Sequence, residues 1–249
     1  MTFALTAIFT SVASFLLGSI PFGLLLGWTK GVDVRKVGSG NVGAMNVGRT
    51  LGWWAFVVVF LLDLLKGFLP ILLTGHYLIR GDAAGQVSPT TADLVWLGIG
   101  LCAILGHNYS PFVGFKGGKG VSTSLGVTLG IYPDFTIPAL SSFICWVAGI
   151  GLTRMSSVGS MAGGILFPVF YLYFSSDNPR PLKDRWPFAV FTLLVAGMVV
   201  VRHRANIRRI LLGTETRIGA RRAKGEVSDS KNATDSPRLS TPNQSLSGE

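Results

Sequence analysis

Long apolar segments, separated by short polar connections, fill most of this 249-residue chain. Hydrophobic residues make up 49% of the sequence and charged residues only 14%, and the charges avoid segments that are too long for a water-soluble core. Seven segments are apolar: 3–28, 52–74, 92–106, 120–132, 135–152, 157–174 and 186–201. The pattern predicts an all-α, polytopic membrane helix bundle with about seven transmembrane helices.

The lengths of these segments leave five spans as the alternative. About 20 apolar residues normally cross the hydrocarbon, and three of the seven segments are well short of that. Segment 120–132 could form a hairpin or a half-helix together with segment 135–152. The first segment has no charged residue before Lys30 and lacks the basic start of a secretory signal, so we expect it to be retained as a span.

Lys and Arg residues lie mainly on one side of such a bundle. With the N-terminus outside, 17 of the 22 basic residues fall in the cytoplasmic loops 29–51, 107–119 and 153–156 and in the tail. The positive-inside rule favours this orientation, with a cytoplasmic C-terminus. The net charge of +10 therefore indicates contact with anionic membrane lipids, and we expect no nucleic-acid partner.

The last part of the sequence differs in composition from the rest. Residues 218–249 are rich in Ser, Thr, Asn, Lys and Pro and poor in large apolar residues, which predicts a disordered polar tail on the cytoplasmic side. Residues 1–217 are predicted to form the integral membrane domain. The oligomeric state is left open by these patterns, and a monomer is compatible with them.

Two glycine-rich strings, 38–49 and 114–120, interrupt the apolar pattern. Glycine lets successive backbone N–H groups converge on an anion. The first string adds polar side chains that could converge on one phosphate: Ser39, Asn41, Asn46 and Arg49. Because Gly, Ser and Asn are also turn residues, an ordinary connector is the alternative interpretation.

The second string has two lysines and two glycines at the predicted start of a helix: Lys116, Gly117, Gly118 and Lys119. A helix N-terminus attracts phosphate, whereas two lysines alone could also snorkel to the membrane interface. The sequence disfavours a nucleotide-binding P-loop, because Val113 and Gly120 stand where that motif needs Gly and Ser or Thr.

Other polar residues adjoin the apolar segments. Asp63 and Lys66 share one helical face inside a span, where charge is costly, so we expect a structural ion pair, with direct substrate contact as the alternative. His203 and Asn206 would share a face of a helix that continues the last span, and the imidazole could act as a base or contact headgroups. The sequence offers no metal-ligand cluster, and we expect no metal or cofactor.

Five strings in this order, 18–23, 38–49, 63–67, 106–120 and 203–215, resemble the PlsY family of bacterial membrane glycerol-3-phosphate acyltransferases. The likeness covers roughly residues 5–217. It implies transfer of a fatty acyl group from acyl phosphate to the sn-1 hydroxyl of glycerol 3-phosphate. The products would be lysophosphatidic acid and inorganic phosphate, formed at the cytoplasmic face of the bacterial inner membrane as the first acylation of phospholipid synthesis.

The resemblance also implies roles for individual residues. Those assigned to catalysis are His203, Ser39 and Lys119. Those assigned to substrate binding are Arg49, Asn41, Asn46, Lys116, Gly117, Gly118, Ser157, Asn206, Arg208 and His107. Met45 departs from the family, which usually has Thr at this position. The alternative from the residues alone is a transporter of a phosphorylated solute, although the polar candidates crowd on one side of the membrane.

Overall fold

The computed structural model describes residues 2–81, 84–176 and 178–219, and every regular element within these ranges is helical. The α-helices are α1 Phe3–Ser19, α2 Phe22–Thr29, α3 Ala44–Leu51, α4 Trp53–Thr74, α5 Pro89–Asn108, α6 Val121–Gly130, α7 Thr136–Thr153, α8 Ser156–Phe174, α9 Trp186–Arg202 and α10 Arg204–Leu211. Short helical turns lie at Gly75–Ile79, Ala84–Gln86, Pro111–Val113 and Leu182–Asp184. The all-α prediction is confirmed. The predicted disordered tail lies outside the described residues from 220 onward.

Five stretches in the described ranges are long and apolar enough to cross a membrane: Phe3–Thr29, Trp53–Ile79, Pro89–Val113, Thr136–Thr153 and Ser156–Phe174. The pair α9 and α10, bent by 55°, is a sixth candidate if it counts as one span. Helix α6 has 10 residues, a length of about 15 Å against a hydrocarbon thickness of about 30 Å. The predicted count of seven is therefore not confirmed by helix length.

One end of the bundle, here called the distal end, is defined by two contacts between connections. The Arg80 guanidinium, which follows α4, donates to the Tyr132 carbonyl, which follows α6. The Arg180 guanidinium, between α8 and α9, lies 2.7 Å from an Asp93 carboxylate oxygen near the start of α5. The turn after α6 therefore reaches the same end of the bundle as the α4–α5 and α8–α9 connections.

The opposite end, here called the site end, is defined by Arg202 at the end of α9. Its guanidinium donates to the Asn108 carbonyl at the end of α5, over 3.1 Å, and to the Gly118 carbonyl just before α6, over 2.6 Å. Helix α6 therefore starts at the site end. Together, α6 and the turn after it carry the chain from the site end to the distal end. Seven membrane spans stay a prediction that this path supports.

An aromatic cluster fills the distal half of the core. The Phe135 ring, which is fully buried, has its centroid 5.2 Å from Phe167 and Tyr171, 5.5 Å from Phe188 and 5.8 Å from Phe191. Most of these contacts are edge-to-face, an arrangement that aromatic pairs favour. The cluster joins α8 and α9 to the turn before α7, so it fixes that end of the bundle.

Close helix packing in the bundle depends on small residues. A Cβ added to Gly18 of α1 would lie 2.2 Å from the Ala103 carbonyl oxygen of α5, and one added to Gly106 would lie 2.2 Å from the Phe15 carbonyl oxygen. These two helices therefore touch backbone to backbone, which is typical of packing in lipid. On the other face of α1, Phe9 is 67% exposed, as a side chain facing lipid would be.

Candidate active site

A polar cleft opens at the site end of the bundle, with about 770 Å³ of empty space including its mouth. It brings together residues that are far apart in the sequence. Of the predicted site residues, those on its wall are Ser39, Asn41, Asn46, Arg49, Asp63, His107, Lys119, His203 and Asn206. Both glycine-rich strings and the segment after α9 therefore contribute to one site.

A chain of short hydrogen bonds runs across the cleft and ends at Glu215. Lys119 Nζ donates to Asn206 Oδ1 over 2.7 Å, and Asn206 Nδ2 donates to Glu215 Oε1 over 2.6 Å. Ser157 donates its hydroxyl to the same carboxylate oxygen over 2.6 Å, and Arg209 Nε donates to Oε2 over 2.7 Å. One carboxylate thus orients four side chains from α8, α10 and the second glycine-rich string.

Glu215 is ionised in this setting. Burial opposes the charge, but the hydrogen bonds from Ser157, Asn206 and Arg209 outweigh it and hold the pKa of Glu215 below its usual value. A carboxylate that accepts three donors is stabilised as the anion. It therefore serves as the fixed counter-charge of the site.

Positive charge around the cleft exceeds this single counter-charge. Burial lowers the pKa of Lys119 to about 8; the charge of Glu215 opposes this shift, and the guanidinium groups of Arg209, Arg49 and Arg202 add to it. Four cations thus act on each other beside one carboxylate. Such a surplus in a partly buried site favours an anionic ligand.

The first glycine-rich string is held by Asn46 of α3. Its Oδ1 accepts from the Ser39 N–H over 2.7 Å, and its Nδ2 donates to the Val34 carbonyl over 2.9 Å and to the Val37 carbonyl over 3.1 Å. Gly38 has a φ of +63°, and a Cβ there would lie 2.2 Å from Asn46 Oδ1. Asn46 therefore shapes the loop with the same amide that was predicted to bind substrate.

Ser39 and Arg49 keep donors for a ligand. Ser39 is exposed and lies both on the cleft wall and on an adjoining opening of about 650 Å³. Arg49 makes one long hydrogen bond, 3.4 Å to the Thr216 carbonyl, which occupies only part of its donor fork. Asn41 stabilises the string, since its Oδ1 accepts from the Gly43 N–H over 2.9 Å.

The second glycine-rich string is fixed between α5 and α9. The Gly118 N–H donates to the His107 carbonyl over 3.0 Å, and a Cβ on Gly118 would lie 2.0 Å from His107 Nε2. The carbonyls of Gly117 and Gly118 accept from Arg202. These contacts direct the following Lys119 into the cleft and require a residue without a side chain at position 118.

His203, at the bend between α9 and α10, has a defined tautomer. Its Nδ1 lies 2.8 Å from the Val199 carbonyl oxygen, which can only accept, so Nδ1 carries the proton. In the neutral ring Nε2 then has a free lone pair. The side chain is almost fully buried on the cleft wall, so the arrangement suits a proton acceptor.

Asp63, which lies on the cleft wall, forms an ion pair with Lys66 inside α4. Lys66 Nζ lies 2.7 Å from Asp63 Oδ1 and donates to the Ile20 carbonyl over 2.8 Å. His107 Nδ1 lies 3.6 Å from the same carboxylate oxygen. The charges of the pair cancel each other, and the pair links α4 to the chain between α1 and α2 and to α5.

Not every predicted residue reaches the cleft. Ser157 donates to Glu215 but is outside the described lining. The other predicted substrate-binding residues absent from that lining are Lys116, Gly117, Gly118 and Arg208. Arg209 and Glu215 are on it, and sequence reasoning missed both as site residues. A signal for Glu215 existed, because acidic residues are nearly missing from the loops on that side of the sequence.

An apolar groove of about 530 Å³ continues from the cleft between the helices. Cleft and groove share four lining residues: Phe60, Val121, Trp146 and Ser160. The Phe60 ring of α4 lies 5.8 Å from Trp146 and 6.4 Å from Phe143 of α7, centroid to centroid. A cationic head site and an apolar groove thus form one continuous surface.

These features define a membrane-embedded protein whose site combines anion binding with a place for an apolar chain. A family model described as glycerol-3-phosphate acyltransferase matches residues 8–213. Two relatives named glycerol-3-phosphate acyltransferase are similar along the chain: that of Geobacter sulfurreducens is 44% identical over 86% of this chain and 97% of the relative, and that of Thermus thermophilus is 41% identical over 86% and 96%. The chain belongs to the glycerol-3-phosphate acyltransferase family.

Solved structures agree with this assignment. The crystal structure of PlsY, an integral membrane glycerol 3-phosphate acyltransferase, in its glycerol 3-phosphate form has a TM-score of 0.70 and 38% identity, over 86% of this chain and 96% of that chain. Its lysophosphatidic acid form matches with the same values. The resemblance to the PlsY family and the multi-pass membrane prediction are confirmed, and the chain is a transferase of this family rather than a transporter.

Proposed function

We propose that the protein transfers a fatty acyl group from acyl phosphate to the sn-1 hydroxyl of glycerol 3-phosphate. The products are lysophosphatidic acid and inorganic phosphate. The observation that carries the proposal is the cation-rich cleft that opens directly on an apolar groove. Two phosphates and one acyl chain meet in this reaction, and the two surfaces match those needs.

The reaction needs no covalent enzyme intermediate, because acyl phosphate already carries a good leaving group. The hydroxyl oxygen of glycerol 3-phosphate attacks the acyl carbonyl carbon and forms the ester bond. The bond between that carbon and the phosphate oxygen breaks, and phosphate leaves with the electron pair. Positioning and charge neutralisation in a site built beforehand supply the acceleration.

The hydroxyl proton passes to His203 Nε2, which is the unprotonated ring nitrogen. General base catalysis of this kind contributes about 10²–10⁴-fold. The phosphate of the substrate is the competing acceptor, and a variant of His203 distinguishes the two. Proton transfer to the substrate phosphate would leave much of the activity when the imidazole is removed.

Two sets of cations hold the two phosphates. Lys119 with Ser39 forms one set, with Gly118 positioning Lys119 through its contacts with His107 and Arg202, and Arg49 with Asn206 forms the other. Arg209 joins the second set in the place first predicted for Arg208, because Arg209 lies on the cleft wall. Competition between inorganic phosphate and glycerol 3-phosphate, measured in variants of each set, shows which set binds which substrate.

The cleft faces the cytoplasm of a bacterial cell, and the helices cross its inner membrane. The count of basic residues supports this orientation. Acyl phosphate would then enter from the inner leaflet, while glycerol 3-phosphate would enter from water.

A donor competition assay tests the proposed function. Purified protein receives glycerol 3-phosphate with acyl phosphate, acyl-CoA or acyl carrier protein as the donor, without added metal, and lysophosphatidic acid is quantified. We expect product from acyl phosphate alone, with an equal amount of inorganic phosphate. Product from acyl-CoA or acyl carrier protein at a comparable rate, or no product from acyl phosphate, would contradict the proposal.

A further inference from the structure

The apolar groove has a defined depth, which can be measured from the spacing of residues along its walls. On α6 it runs from Val121 at the cleft to Thr128, and on α8 from Ser160 to Phe167. Seven residues of helix separate each pair, so the groove extends about 10 Å from the cleft toward the distal end. Both walls stop at the same depth, which gives the groove a floor.

The floor is aromatic and closed. Phe167 is 3% exposed, and its ring centroid lies 5.2 Å from Phe135 at the centre of the aromatic cluster. Val195 of α9 lines the groove about one helical turn further from the site end than Val199 and is also buried. Thr128 directs its hydroxyl back to the Ser124 carbonyl over 3.0 Å, so its polar group is satisfied within α6.

We infer that Phe167 and Val195, at the floor of the groove, set the length of acyl chain that the protein uses best. The inference rests on the proposed function, since the occupant of the groove is the chain of the acyl phosphate. Continuity carries this assignment: the groove shares Phe60, Val121, Trp146 and Ser160 with the cleft that holds the phosphate. A chain with its carbonyl in the cleft meets Phe167 end-on.

Methylenes up to the floor pack against the groove walls, and each contributes at most about fourfold to kcat/KM, the value for transfer from water. Methylenes beyond the floor must turn out of the groove toward lipid and contribute little. The dependence of kcat/KM on chain length should therefore rise and then level off. The position of that break reports the depth of the floor.

The test moves the floor in both directions. Phe167→Ala removes the ring and should shift the break to longer chains, raising the ratio of kcat/KM for long over short acyl phosphates about tenfold, which corresponds to roughly two further buried methylenes. Val195→Phe should fill the floor and lower the same ratio. Phe170→Ala is the matched control, because Phe170 lies on the same helix outside the described groove lining and contacts Phe174 at 6.5 Å.

Saturated acyl phosphates of graded length are assayed with each purified variant at saturating glycerol 3-phosphate. Opposite shifts in Phe167→Ala and Val195→Phe, with no shift in Phe170→Ala, support the inference. A uniform loss at every chain length in both variants, or the same shift in the control, overturns it. Either variant alone decides the question if the other does not fold. Wild-type protein that uses no acyl phosphate of any length would instead contradict the proposed function.

Discussion

The two ends of the bundle use charged residues in opposite ways. At the distal end, Arg180 lies 2.7 Å from Asp93, and Arg185 donates to the Ser175 carbonyl over 2.8 Å, so these cations are used within the fold. At the site end, Lys119 and Arg49 belong to a group of four cations beside the Glu215 carboxylate, while the Asp63 carboxylate is already neutralised by Lys66. Cations that bond other parts of the fold stabilise a connection, whereas surplus positive charge beside a cavity identifies a place for an anion.

The comparison predicts its largest effect at Lys119. Lys119→Ala removes the cation that bonds Asn206 at the centre of the cleft, and we expect kcat/KM to fall about 10²–10³-fold, as for the loss of one charge-stabilising donor. Lys116→Ala is the control from the same string, because Lys116 does not line the cleft, and it should retain most of the activity. Activity is measured as phosphate release. Equal losses of activity in Lys119→Ala and Lys116→Ala would contradict the different roles given to the two lysines.

His203 tests the proposed proton transfer. His203→Ala removes Nε2, the one unprotonated ring nitrogen fixed by the Val199 contact, and should lower kcat about 100-fold or more. His76→Ala, at the distal end, should leave turnover unchanged. A loss of less than about tenfold in kcat for the His203 variant would rule out the imidazole as the general base and favour the substrate phosphate.

Removing one carboxylate at each end of the bundle distinguishes an effect on activity from an effect on stability. Glu215→Ala leaves the buried donors of Ser157 and Asn206, and the partly exposed Arg209, without their acceptor. It should lower the free energy of unfolding by about 2 kcal/mol and activity at least tenfold. Asp93→Ala removes the partner of Arg180, whose side chain is 42% exposed, and should lower stability less.

Thermal unfolding in detergent and phosphate release are measured together on both variants. Full activity is expected for Asp93→Ala. The comparison of the two ends is wrong if that variant loses turnover while Glu215→Ala keeps it.

The smallest effect concerns pH. The pKa of Lys119 is lowered to about 8 by burial, so the ammonium is present below pH 8 and is lost as the pH rises above it. We expect kcat/KM for glycerol 3-phosphate to fall about tenfold per pH unit above 8. Lys119→Arg keeps its charge over this range and should not show the fall. If wild-type protein and Lys119→Arg have the same pH profile, the fall in kcat/KM is caused by another group.

The fold was accessible from the sequence to a large extent, because lipid demands long apolar helices and these are visible as composition. The gathering of Ser39, Lys119 and His203 also agrees with the sequence interpretation. These residues are separated along the chain but share one side of the predicted bundle. Their roles as catalytic and binding residues stay predictions until the variants are measured.

The features of the site that the sequence did not give depend on tertiary contacts. Arg208 was chosen and Arg209 faces the cleft, a difference of about 100° around a helix that sequence spacing did not resolve. Asn46 was expected to bind substrate, but its amide holds the Val34 carbonyl and the Ser39 N–H of its own loop. The tertiary structure decides which group a polar side chain bonds. Glu215 is the clearest case, because its partners come from α8 and α10.

Equilibrium binding of glycerol 3-phosphate tests the central claim most directly, that surplus cations at the site end hold the substrate phosphate. Radiolabelled glycerol 3-phosphate is dialysed against wild-type protein and the Lys119→Ala and Asp93→Ala variants at equal ionic strength. We predict that Lys119→Ala weakens binding at least about tenfold, as expected for loss of a hydrogen-bonded charge, while Asp93→Ala binds like wild type. Unchanged binding in Lys119→Ala, or an equal loss in Asp93→Ala, would contradict the claim.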